Sequence, residues 1–112
     1  LEEIAEELQL KESIEELGLS GAAALAYVLV SKFGSLDDAF SWFDTTKRGK
    51  VPRVYWEIGF MLMKTNVKKL TGVSSFKQFS AIANGSEVTR SSWNDYFANA
   101  VGDETWLESA RK

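Results

Sequence analysis

The sequence predicts an all-α protein, and three observations carry that expectation. Apolar residues recur at helical intervals through most of the 112 residues. The chain contains one proline, Pro52. Glycine, serine and threonine stand where helices would stop and start. The length suits one core rather than two independent ones. A hydrophobic content of 45% against 26% charged is too apolar for a disordered chain. Four Trp, three Tyr and seven Phe point to a core built on aromatic rings.

Taken in order, Leu1, Ile4, Ala5 and Leu8 define one face of a first helix, which Ile14 and Leu17 extend. Seven glutamates between Glu2 and Glu16, against Lys11 alone, fill its other faces and leave the rest of the chain slightly basic. They form either a solvated face or an acidic surface for a basic partner. Gly18 ends this helix and Ser20 caps the next. Residues 22–33 are apolar nearly all round, which predicts a helix buried in this domain or against another chain. Gly34 closes it. Ser35-Leu36-Asp37-Asp38 has capping-box spacing ahead of Ala39, Phe40 and Phe43. Pro52 suits the first turn of a further helix. There Val54, Ile58, Met61 and Leu62 are read as the buried face, widened by Tyr55, Trp56 and Phe60. That helix should fade between Asn66 and Gly72. Ser74 or Ser75 caps a short helix with Phe76, Phe79 and Ile82, Asn84-Gly85 marks a turn, and Thr89 caps a last helix with Trp93, Tyr96, Phe97 and Val101. The organisation expected is an N-terminal helical extension, 1–34, followed by a unit over 35–112 with a C-terminal tail, together one compact domain.

Composition removes much chemistry. Without cysteine there are no disulfides, thiolate sites or thiol nucleophiles, and without histidine there is no imidazole base or ligand. Asp37 and Asp38 are adjacent, so on a helix they point about 100° apart and do not work as a carboxylate pair. No glycine-rich phosphate loop is present, and the expectation is a protein that is not an enzyme and carries no cofactor. The longest apolar run, Ala22 to Val30, is nine residues and too short to span a membrane. Two basic clusters, Lys47/Arg48/Lys50/Arg53 and Lys64/Lys68/Lys69, sit in a chain of pI about 5.0, which argues for a solvated surface and against nucleic acid. The start at Leu1 is compatible with a processed form or a fragment. The expected setting is intracellular, cytoplasm or organelle.

The most informative pattern is two helix–loop–helix units between Ser35 and Val101, each with one apolar residue just before a helix start. These are Val51 and Val88, 37 residues apart. AFSWFD (Ala39–Asp44), Gly49 in the sixth place counted from Asp44, Val51 in the eighth, and EVTRSSWNDYF (Glu87–Phe97) together resemble a pair of EF-hands of the calmodulin-like superfamily. The resemblance covers about 35–101. It implies that Gly49 and Gly85 turn the loops and that Val51 and Val88 pair as a minimal β-bridge. The expected fold is thus an EF-hand-like pair joined by that bridge, plus two N-terminal helices.

The ligand positions depart from the family. Calcium needs six to eight oxygens, with acids at the first, third and fifth loop positions and a bidentate Glu at the twelfth. Loop one offers Asp44, Thr46, Arg48 and Tyr55 there, with Lys47 and Lys50 adding positive charge. With Val88 as the eighth residue, loop two offers Ala81 first and Ser92 twelfth, and Glu87 falls at the seventh. Neither loop is expected to bind metal. Methionines line the target groove of calcium sensors, so Met61 and Met63, with Trp56, Phe60 and Trp106, are the candidate partner contacts, though each could equally be core. The resemblance implies a calcium-independent interaction module or structural subunit whose partner is a protein, a helical segment or a larger assembly. The alternatives are a calcium sensor or buffer with unorthodox ligands, and a structural or regulatory fragment of a larger enzyme or organellar complex.

Overall fold

The structure, a computed structural model, describes residues 2–101, with side chains from Glu7 to Asn99. Its elements are α1 (Glu2–Leu17), α2 (Gly21–Phe33), α3 (Leu36–Phe43), β1 (Lys50–Pro52), α4 (Arg53–Leu62), α5 (Val67–Thr71), α6 (Ser75–Ile82), β2 (Glu87–Thr89) and α7 (Arg90–Val101). The fold is mostly helical, and the two strands form a small antiparallel ribbon in which Val51 stands opposite Val88. No helix among the described residues is long and apolar enough to cross a membrane.

The punctuation follows local chemistry. Gly34 takes the left-handed conformation, φ 90°, that lets its N–H close α2 on the Val30 carbonyl. Ser35, Asn66 and Ser74 cap α3, α5 and α6 by accepting from the third amide onward. At α7 the capping is reciprocal: Thr89 Oγ1 accepts from the Ser92 amide at 3.1 Å, and Ser92 Oγ accepts from the Thr89 amide at 3.0 Å. Ser20 differs from expectation, because it occupies the cap of α2 without a capping bond from its side chain. Pro52 ends β1 and occupies the N-cap of α4, so the first helical turn begins one residue later than expected.

The apolar helix α2 lies within the protein. Ala24 to Val30 are all buried, and the helix packs against α3, α5 and α7. One core runs through residues on both sides of Gly34, from Leu10 and Ile14 of α1 to Trp93 and Phe97 of α7. Its middle is aromatic: Phe43 stacks on Trp56 at 4.9 Å, Trp56 meets Phe60 edge-on at 4.8 Å, and Phe40 meets Trp93 edge-on at 5.5 Å. Gly59 belongs to this packing, since a Cβ there would lie 2.2 Å from Phe43 Cε1.

A polar hub is buried beside the rings. Gln78 Nε2 donates to the Gly21 carbonyl at 3.2 Å and to Thr71 Oγ1 at 3.4 Å, while its Oε1 accepts from the Tyr96 hydroxyl at 3.1 Å. One side chain thereby ties α6 to α2, α5 and α7, and its polar atoms are satisfied as burial requires.

Three helix faces differ from expectation. In α1, Leu10 and Ile14 are buried, whereas Leu8 and Leu17 are exposed. In α6, Phe79 and Ile82 are buried and Phe76 is exposed. In α4 only the residues expected to widen the buried face hold it: Trp56 and Phe60, with Gly59, face the core, and Val54, Ile58, Met61 and Leu62 face out. The segment expected to fade also contains a separate helix, α5. It is short enough that sequence periodicity had no second turn to show.

Candidate functional site

Loop one, residues 44–49, closes on Asp44. This carboxylate is buried, and its oxygens accept from the loop's own backbone: Oδ1 from the Arg48 amide at 3.2 Å and Oδ2 from the Gly49 amide at 2.8 Å. The turn needs left-handed backbone at Lys47 (φ 58°) and Gly49 (φ 74°), and a Cβ at Gly49 would meet nothing within 4 Å. Gly49 is therefore favoured by its dihedral angle and not by crowding. Thr46 Oγ1 accepts from Arg48 Nε at 3.2 Å. Tyr55 is half-buried against the core and does not line the loop cleft, which is formed by Ser41, Asp44, Lys47, Arg48, Gly49 and Arg90.

The positive charge of this cleft is held in place. Arg90 ion-pairs with Asp37, donates to Ser41 Oγ at 3.3 Å and lies 4.6 Å over the Phe40 ring. Chemically, loop one offers a single carboxylate, with both oxygens engaged by amides, among three cations. Among the described residues, no group of three or more acidic side chains gathers where a metal could sit.

Loop two is tighter than the family frame. Asn84 and Glu87 form a β-bridge, the Asn84 amide donating to the Glu87 carbonyl at 2.9 Å, with Gly85 at φ 77° inside the turn. Ala81, the first position of that frame, lies inside α6, and Ser92, the twelfth, spends its hydroxyl capping α7. The loops meet where Val51 and Val88 pair, both buried, and the Arg90 amide adds a bond to the Gly49 carbonyl at 3.3 Å.

The candidate partner contacts separate into two sets. Trp56 and Phe60 are 0% and 4% exposed and belong to the core, and Trp56 Nε1 donates to the Ser75 carbonyl at 2.9 Å. Neither is therefore on the surface, because large aromatic rings with little or no polar surface gain most from burial and point inward. Met63 is half-buried against the same core. Met61 is exposed, and Trp106 lies outside the described residues.

Sequence reasoning read Met61, with Val54, Ile58 and Leu62, as a buried face. Val54, Ile58, Met61 and Leu62 are 57%, 41%, 74% and 68% exposed. Their spacing, i, i+4, i+7 and i+8, makes one continuous stripe along a helix about 15 Å long. Trp42 of α3, also exposed, approaches Gly59 of α4 from the same side as Phe43. The signal was present in the composition of α4: it holds more apolar residues than one buried face can use. Compared with protein-family models, curated proteins and solved structures, the chain matches none of them.

Proposed function

We propose that this chain is a calcium-independent protein-interaction module, built on a degenerate EF-hand-like pair, and that the outer face of α4 is its docking surface. The observation that carries the reading is the exposed stripe of Val54, Ile58, Met61 and Leu62. A helix apolar on both sides is normally buried on both sides, and an uncovered contiguous apolar face marks a contact surface. The pair reading is supported by two helix–loop–helix units, α3–α4 and α6–α7, whose loops are joined through Val51 and Val88. Calcium independence is supported by loop one, where amides occupy the one available carboxylate and cations surround it.

The test is capture of partners on the full chain, in calcium and in chelator, beside a Met61→Asp/Leu62→Asp variant shown by circular dichroism to be folded. The same partner is expected with and without calcium and is expected to be lost from the variant. Capture that needs calcium, or that ignores the variant, overturns the reading.

A further inference from the structure

We infer that the occupant of the α4 face is an acidic amphipathic helix, an inference that rests on the docking reading above and adds the partner's chemistry. The argument comes from the charges that border the stripe. At the N-terminal end stand Lys50, exposed on β1, and Arg53, whose guanidinium lies 4.3 Å over the Phe76 ring. At the other end Met61 leads into an open cleft of about 650 Å³, where Lys64, Lys68 and Lys69 face Glu7 and Glu57. Glu7 pairs with Lys69 at 4.0 Å, while Glu57 accepts from the Ser75 hydroxyl at 3.0 Å and keeps its charge, so the three lysines of the cleft outnumber its two carboxylates. Lys68 is exposed at the rim of this cleft. The stripe therefore runs between basic borders on a chain whose net charge is −3.

A partner helix with apolar residues at i, i+4 and i+7 matches Val54, Ile58 and Met61, and acidic residues in its end turns would meet the borders. Complementary rim charge of this kind sets encounter rate and partner choice more than it sets affinity. A second copy presenting the same face would set these bases against themselves. A bilayer is flat, whereas Met61 opens into a concavity that admits the side chains of a peptide segment.

The experiment is selection on the full chain from a displayed library of helix-forming peptides about sixteen residues long, a length of roughly 24 Å. The best binder is then titrated beside its Glu→Gln and Asp→Asn counterpart at low and high salt. Recovered peptides are expected to pair an apolar stripe with acidic ends, and the neutralised counterpart to bind about tenfold more weakly. Met61→Asp should abolish binding, Lys68→Glu should weaken it several-fold and more so at low salt, and Leu17→Asp on α1 should leave it unchanged. Neutral or basic peptides that still require Met61 would overturn the acidic partner and leave docking at α4 intact. No enrichment, or binding indifferent to Met61→Asp, would overturn both. Met61-dependent self-association in sedimentation, or Met61-dependent binding to phosphatidylserine-containing vesicles, in the absence of peptide binding, would give the face to a second copy or to a membrane and overturn the inference.

Discussion

At Asp44 a carboxylate is committed to two amides, and Asp44→Ala would leave the Arg48 and Gly49 N–H groups without it. The expected loss is about 1–3 kcal/mol, seen as a lower urea midpoint at unchanged slope. Asp44→Asn should recover part of it through its remaining carbonyl oxygen. Gly59 makes a steric prediction of a different kind. A methyl group there would lie 2.2 Å from Cε1 and 2.6 Å from Cδ1 of Phe43, a ring that is itself buried. Gly59→Ala, ordinarily favourable by about 0.5–1 kcal/mol within a helix, should instead destabilise by about 1–3 kcal/mol. Thermal unfolding would register it as a lower Tm. At this scale the sequence reading was uneven. Gly49 and Val51 were legible because turn and bridge positions demand a dihedral angle or an apolar side chain. Gly59 was not, because only the position of the Phe43 ring makes it necessary.

Among the elements, α7 depends on its reciprocal cap. Thr89→Ala removes the acceptor for the Ser92 amide and should cost about 1 kcal/mol in chemical denaturation, while Thr89→Ser should be close to neutral. Helix limits were largely readable for the same reason that such caps work: Gly34, Ser35, Ser74 and Thr89 act on backbone groups within a turn of themselves. Orientation was less readable. Periodicity in α4 offered two apolar faces, and the choice between them was made by ring packing from Phe43 and Trp93, residues far away in sequence. Of the candidate contacts expected on α4, Trp56 and Phe60 consequently lie in the core, and Met61 lies on the exposed face. Loop two gave a similar lesson, since a twelve-residue frame anchored on Val88 ran back into α6, where the Asn84–Glu87 turn had already closed the chain.

For the molecule as a whole, the buried hub around Gln78 connects stability to pH. Burial raises the pKa of Tyr96 above its ordinary 10.0, so the folded protein holds this proton more tightly than the unfolded chain. Its contribution is complete below about pH 10 and declines as pH rises through the folded value, because the unfolded state then releases the proton first. Chemical denaturation across this alkaline range should show falling stability, with a smaller slope in Tyr96→Phe. The hub also joins Gly21 to Gln78 across 57 residues, so the helices that follow Gly34, as far as Val101, share their interior with the two before it. That long-range contact left no trace in local sequence patterns, which report periodicity and caps but not which helix fills the centre. The uncovered stripe on α4 has a further consequence for solubility. Sulfate strengthens the drive to bury apolar surface, so the free protein should salt out at a lower ammonium sulfate concentration than Met61→Asp/Leu62→Asp. Under the docking reading proposed above, such a chain keeps best when it is not in excess, and its workable concentration is set by how much of the docked segment is present.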